Sequence, residues 1–353
     1  MNFLEFSFSQ DFSKLHFLPR KFQIGSNNTI IFGHPKSGKT SLALSYLQTQ
    51  KQKSLYIDLN DLRIDESIFQ IQEFINENGI ETTILDGFAS QIEIPKSKQV
   101  ILICEEQKYF SSFDPLECRA LDFEEFLIFD KRHQNITVSF NFFLKFGNLP
   151  QTAFLNDAQK IHNLQDVIKL IAKDESEILF LRKIFSNAAF AKSIFQLYTS
   201  LKKEMKVSKD RFYKFFDELI GRNIIKLVYK IDQPKSNPKI MLCNHSFFDA
   251  VSTKKNFNKS FENLVFLELL SFKEKIYYAD GIDFFIPKLR TVFLCIPFFN
   301  QMSLGKNINK LLETIEIYDV EEIKIISIAT TQKIFIGNIE ASVESFYEWA
   351  LAK

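Results

Sequence analysis

Glycine is scarce in this sequence, 10 of 353 residues, and tryptophan occurs once. Such a chain is neither collagen-like nor a flexible linker, and any pair of correctly spaced glycines becomes informative. Cysteine is sparse too. Cys104, Cys118, Cys243 and Cys295 lie far apart with no C-x-x-C, and the five histidines show no ligand spacing, so neither a disulfide framework nor a zinc site is expected. No uncharged run reaches about 18 residues. The opening stretch MNFLEFSFSQDFSKLHF lacks a basic start, an apolar core and a small-residue cleavage site, so a cytosolic chain without membrane contact is expected. An excess of one charge is also missing. With 44 Lys and Arg against 43 Asp and Glu, the formal charge is +1, and any pull toward nucleic acid must come from a local patch.

Phenylalanine is what the chain has in abundance, 40 residues in a sequence that is 46% hydrophobic and 25% charged. That balance belongs to a folded protein, and most of these rings are expected in cores rather than as stacking platforms. The 353 residues exceed the length at which single cores stop growing, roughly 250 to 300, so two or three domains are expected. There is no repeat, low-complexity tract or long linker.

The stretch IIFGHPKSGKTSLAL, Ile30 to Leu44, matches G-x-x-x-x-G-K-[ST] at Gly33, Gly38, Lys39 and Thr40. Such a loop works only between a strand and a helix, because it aims backbone N–H groups at phosphate oxygens. Both are predicted: Thr29 to Phe32 is a short apolar run suited to a buried parallel strand, and Thr40 to Leu47 has helix-forming composition. The nucleotide-contacting set is therefore Gly33, His34, Pro35, Lys36, Ser37, Gly38, Lys39, Thr40 and Ser41. Lys39 is expected to reach the β- and γ-phosphates, and Thr40 to place its hydroxyl on Mg²⁺.

Downstream, a strand over Leu55 to Leu59, a helix over Glu66 to Asn78, and the runs TTILDG and QVILICEE read as a parallel α/β sheet. Hydrolysis needs a carboxylate at a strand end for the Mg²⁺ shell and usually a second beside it to orient water. Asp86 in ILDG is the first candidate, with Thr40, for the metal; Gly87 stands where the second acid is expected. Asp58 reads better as a strand-end turn acid. Glu105 and Glu106, after ILIC, are the candidate replacement for the missing catalytic acid, and solvated surface is the equal alternative.

This order of elements resembles the AAA-type P-loop ATPases of bacteria and archaea whose C-terminal half is similar to PD-(D/E)XK nucleases. FGHPKSGKTSL, LYIDLND and ILDG carry the resemblance in the first part; LDFEEFL (Leu121 to Leu127) and FFLKFGNLPQ (Phe142 to Gln151) carry it in the middle. FENLVFLELL (Phe261 to Leu270) and YYADGIDFFI (Tyr277 to Ile286) carry it in the C-terminal half. The departures are as informative. Gly87 replaces the family's glutamate, ICEE replaces a small polar pair that senses the γ-phosphate, and Arg119 is the nearest arginine to the family's Gly-Arg segment. Adenine rather than guanine is implied by the resemblance, and no guanine-reading N/T-K-x-D occurs in the expected position.

From Glu175 to about Lys230 the pattern turns helical. Ser208 is placed to cap a helix carrying Phe212, Phe215, Phe216 and Leu219, Gly221 to end it, and Ile224 to Ile231 to follow as strand, which together suggest a winged helix. Lys202, Lys203, Lys206, Lys209, Arg211 and Lys214 make residues 202–214 the candidate DNA-binding stretch, diluted by Asp210, Asp217 and Glu218. A protein partner or self-association is the alternative use of this region. In the C-terminal half the resemblance implies a metal held by an Asp on one strand and a Glu, then Lys, on the next. Asp283 fits the first position and Glu262 or Glu268 could assist, but Thr291 to Phe298 carries neither acid nor lysine, so nuclease activity is not expected. The closing helix is expected to dock through Phe346, Trp349 and Leu351.

The expected fold is α/β: a P-loop parallel-sheet ATPase domain over 1–130, a helical connector over 131–175, a winged-helix-like domain over 176–233 and a degenerate nuclease-like αβ domain over 234–353. The expected function is an ATP- and Mg²⁺-binding switch or weak ATPase. The alternative is a DNA-associated ATP-binding protein acting through the winged helix.

Overall fold

The computed structural model describes residues 1–130, 135–305 and 308–353. They form two compact units, one of residues 1–120 with 221–224, the other of 121–220 with 225–353. The connector's expected start at 131 lies outside the described residues.

Among the described residues, the first unit is built on five strands: β1 (Thr29–Phe32), β2 (Ser54–Asp58), β3 (Thr82–Asp86), β4 (Gln99–Ile103) and β5 (Asp114–Glu117). They lie in the order β2-β3-β4-β1-β5, every pair parallel. Helices α1 (Phe3–Phe8), α2 (Lys39–Thr49) and α3 (Ile71–Asn78) belong to this unit, and a 3₁₀ turn over Glu66–Gln70 precedes α3 where one continuous helix is expected from sequence. The central strands β1, β3 and β4 are buried almost throughout because both sheet faces are covered there, whereas the edge strand β5, DPLE, is half exposed. Successive side chains point to opposite faces. Ile30, Leu55, Ile57, Leu85 and Leu102 pack in one core with Phe3, Ile71 and Ile75. Ile31, Ile84, Ile101 and Ile103 pack in the other with Leu42, Ala43 and Leu47 of α2. In a parallel sheet, the loops leaving the carboxyl ends of the strands converge on one edge, and the phosphate-loop sequence leaves β1 at that edge.

The second unit carries helices α4 (Phe123–Phe129), α5 (Ile136–Phe146), α6 (Asp157–Ile171), α7 (Glu175–Phe185), α8 (Ile194–Lys202), α9 (Lys209–Gly221, whose last residue groups with the first unit), α10 (Phe247–Val251), α11 (Phe257–Leu269), α12 (Ile308–Ile317) and α13 (Phe346–Ala352). Its strands are β6 (Ile225–Lys230), β7 (Lys239–Leu242), β8 (Tyr277–Ala279), β9 (Ile282–Ile286), β10 (Thr291–Cys295), β11 (Glu322–Ser327), β12 (Gln332–Ile336) and β13 (Ile339–Ser345). The sheet is mixed, in the order β12-β13-β11-β10-β9-β8-β6-β7.

Helix α9 starts as its sequence predicts, with the Arg211 amide donating to Ser208 Oγ at 3.2 Å, and it buries Phe212, Phe215, Phe216 and Leu219. The antiparallel ribbon that follows, β6 with β7, also pairs through β6 with β8, so it forms one edge of the larger sheet. Phenylalanine abundance is explained by packing: Phe123, Phe140, Phe143 and Phe346 form a buried ring cluster, with Phe123 and Phe346 centroids 5.8 Å apart. The closing helix docks through Phe346 and Trp349, whereas Leu351 remains 39% exposed. The turn in FFLKFGNLPQ requires its glycine. Gly147 has φ +84°, and a Cβ there would sit 2.3 Å from Asn244 Oδ1. No described helix is long and apolar enough to cross a membrane.

Candidate functional site

The loop between β1 and α2 has the shape its glycines predict. Gly38, at φ +100°, is the N-cap of α2 with no side chain over the helix N-terminus. Gly33, at φ +148°, passes so close to the β5 end that a Cβ would lie 2.3 Å from the Cys118 carbonyl oxygen. An alanine at either position would obstruct the turn, which explains why two of so few glycines fall here. Lys39 folds back over the loop and donates to the carbonyl oxygens of Gly33 at 2.7 Å and His34 at 3.1 Å. Burial pushes its ammonium pKa down, opposed by the charges of Glu105 and Asp86 among others.

Asp86 ends β3, and its Oδ2 accepts from Thr40 Oγ1 at 2.6 Å and from Tyr56 Oη at 2.9 Å. Burial raises the Asp86 pKa, and these two hydrogen bonds pull it back. Thr40 and Asp86, named from sequence as metal candidates, are therefore brought together. Tyr56 is the member that sequence reasoning missed; its place on β2, two residues before Asp58 and so on the same sheet face, is the signal that could have found it. Its phenol is held well above its ordinary pKa by burial and the neighbouring Asp86.

The donor set fits a nucleotide and a hard cation. Thr40 and Asp86 offer oxygen ligands of the kind Mg²⁺ takes. The buried Ser37 Oγ, 3.4 Å from where a Gly33 Cβ would be, has no hydrogen-bond partner among the described groups and is suited to an incoming oxygen. The remaining loop residues differ in exposure: His34 is buried, Pro35 is half-buried, and Lys36 and Ser41 are exposed. Lys36 sits at φ +61°. Arg20 braces the loop from outside, donating to the carbonyl oxygens of Ser37 at 2.9 Å and Arg119 at 2.7 Å. The Arg119 guanidinium lies 5.7 Å from the centroid of the Phe22 ring.

At position 87, where sequence leads one to expect a second acid, the chain turns on a glycine next to the exposed Asn60 side chain. Gly87 has φ +77°, and a Cβ there would meet Asn60 Nδ2 at 2.1 Å. Asp58 faces its own turn, accepting from the Asn60 amide at 2.9 Å. Strand β4 lies between β1 and β3, so Glu105 and Glu106 leave the strand next to the loop's own. Both are exposed, and Glu105 pairs with Arg222 at 3.0 Å.

In the second unit, Glu262 of α11 and Asp283 of β9 converge, but on an ammonium. Lys239 Nζ donates to Glu262 Oε1 at 2.6 Å and to the Asp283 carbonyl at 3.1 Å, and lies 3.6 Å from Asp283 Oδ1. Lys259 pairs with the other Glu262 oxygen at 2.5 Å, and Asp283 Oδ2 accepts from the Cys295 amide at 2.8 Å. Glu268 is not part of this group: it accepts from the Phe123 amide at 2.8 Å and pairs with Lys353. In the 202–214 stretch the basic side chains are exposed, and Arg211 pairs with Asp174.

No family model and no curated protein matches the chain. Among solved structures it is similar to a Walker-type ATPase of Pyrococcus abyssi, at 12% sequence identity and a TM-score of 0.43, over 64% of this chain and 90% of that one. A likeness of that degree fixes no function.

Proposed function

We propose that the first unit binds ATP with Mg²⁺ and works as a nucleotide-held switch or slow ATPase. The carrying observation is the Thr40–Asp86 hydrogen bond of 2.6 Å at the rim of a glycine-framed loop that opens a helix. Helix N-termini with free backbone N–H groups attract phosphate, and Lys39 adds a charge that exchanges loop carbonyls for phosphate oxygens. Gly33 to Ser41 would hold the phosphates, and Thr40 and Asp86 the cation. Bound Mg²⁺ would supply charge neutralisation across the phosphate oxygens. Adenine as the base rests on the sequence resemblance.

Slow turnover follows from Gly87 standing where a water-orienting acid is expected, because such a group is worth orders of magnitude in phosphoryl transfer. For the second unit we read a nuclease-like fold without its metal, because Lys239 already neutralises the two carboxylates that would bind one. The winged-helix reading of α9 with its ribbon belongs to the same proposal.

The test is the Mg²⁺ dependence of ATP affinity. Thr40→Ala and Asp86→Asn should lose most of the gain that Mg²⁺ gives the wild type, about tenfold or more. Retention of the full gain in both variants refutes the assigned cation site.

A further inference from the structure

The chain between α1 and β1 has no regular structure, yet it is anchored: Phe17, Phe22 and Ile24 pack against the core cluster that holds Leu42, Ala43 and Leu47 of α2. This anchoring sets Arg20 beside the nucleotide loop. Its guanidinium carbon lies 5.2 Å from the centroid of the Phe22 ring, and two of its nitrogens span two carbonyls, Nη1 donating to Ser37 at 2.9 Å and Nη2 to Arg119 at 2.7 Å. Arg119 follows Cys118, whose amide donates to the Phe32 carbonyl at 2.8 Å, so the second prong is tied to the end of the β1–β5 ladder. The first prong has a consequence inside the loop. The Ser37–Gly38 peptide is trans, so its C=O and N–H point in opposite directions across one rigid plane. A carbonyl drawn outward to Arg20 therefore aims the Gly38 N–H inward, and among the described residues no backbone oxygen accepts from it. Lys36 and Gly38, at φ +61° and +100°, stand on either side of Ser37, an alternation that curls successive N–H groups into an anion-binding concavity. The left-handed angle is costly for Lys36, so a loop of this shape gains from an outside hold.

We propose that Arg20 is a positioning residue for nucleotide binding: by fixing the Ser37–Gly38 peptide it holds the loop's N–H groups in their phosphate-binding directions before the nucleotide arrives. The proposal rests on the nucleotide-binding reading above. Arg20 meets the loop from behind and acts through its backbone, so its effect falls on the capture of phosphates that ATP and ADP share. Only a planar fork reaches both carbonyls at once; a lysine keeps the charge and loses the bridge. A loop competent about one-tenth of the time binds about tenfold more weakly. That loss falls on association, because phosphate, once bound, holds the loop in shape itself.

The experiment is stopped-flow binding of fluorescent ATP and ADP analogues, with Mg²⁺, to the full chain as wild type, Arg20→Lys and Arg20→Ala, with amide hydrogen exchange on the same proteins. Both variants should bind ATP and ADP alike about tenfold more weakly, with association slowed about tenfold and dissociation changed less than about threefold. The Ser37 amide, which donates to the His34 carbonyl at 3.3 Å, should exchange about tenfold faster in both variants without nucleotide and regain wild-type protection at saturating nucleotide. Wild-type binding by Arg20→Lys overturns the proposal, since charge alone would then suffice. A loss confined to ATP, faster dissociation at an unchanged association rate, or wild-type exchange at Ser37 in both variants overturns it too. Should Arg20→Ala fail to fold, Arg20→Lys decides by the same readings. Wild-type protein that binds neither nucleotide removes the parent reading and this one with it; nucleotide binding indifferent to Arg20 removes only this one.

Discussion

Replacing Gly87 by alanine probes the structure where it departs most from a hydrolytic site. The residue sits at φ +77°, a conformation that costs an L residue about 1–2 kcal/mol. The added Cβ would also lie 2.1 Å from Asn60 Nδ2 and 3.0 Å from Asn60 Cγ, so the whole amide must move. Because the exposed Asn60 amide can swing away, displacing it adds at most about 1 kcal/mol, giving about 1–3 kcal/mol for Gly87→Ala. Asn60 is exposed and its side-chain bond to Asp58 is long, 3.4 Å, so Asn60→Ala alone should be nearly neutral. The pair Asn60→Ala with Gly87→Ala then removes the displacement part and keeps the dihedral part, so the double-mutant cycle should show a favourable coupling of no more than about 1 kcal/mol. Urea unfolding of the four proteins measures it. A Gly87→Ala protein as stable as the wild type, or a coupling well above about 1 kcal/mol, refutes a glycine held mainly by its dihedral beside a yielding Asn60.

Other perturbations follow from the second unit. His245 is buried, donates from Nε2 to the Phe143 carbonyl at 2.9 Å, and has its pKa lowered by burial to about 4. In the unfolded chain it takes a proton near pH 6.5, so its contribution is complete above about 6.5 and is lost as pH falls toward 4, about 3 kcal/mol in all. The difference in urea stability between wild type and His245→Gln should shrink across that window; a pH-independent difference contradicts a neutral buried imidazole. Lys239→Met leaves the 4% exposed Glu262 with Lys259 alone and takes the ammonium from Asp283, and should cost about 2–4 kcal/mol, with Lys239→Met/Glu262→Gln recovering part of it. If the single variant unfolds at the wild-type urea concentration, the ammonium is not what neutralises that carboxylate.

Local chemistry made the first site legible in the sequence. The loop with its strand and helix follows from residue spacing within one β–loop–α stretch; Asp86, the first of several strand-end acids the sequence offered, is set beside Thr40 by the order of the sheet. What escaped depends on packing between distant segments. Arg222 reaches Glu105 only because residues 221–224 fold with the first unit, and no periodicity records that. Lys239 opens a strand that is buried throughout, a position where an unpaired lysine would be costly; the pattern flags the conflict without revealing the Glu262 and Asp283 that resolve it. Gly87 was readable as a missing acid, but the Asn60 amide beside it was not.

The most direct test of the central claim is Mg²⁺-ATP binding and phosphate release measured together on wild-type protein and Lys39→Ala. The structure predicts wild-type binding that the variant loses, with wild-type turnover little faster than the variant's. Equal affinity in both proteins contradicts nucleotide binding at this loop. Fast Lys39-dependent phosphate release contradicts the claim that the site holds its nucleotide without efficient hydrolysis, and would direct mutagenesis to Glu105 and Glu106.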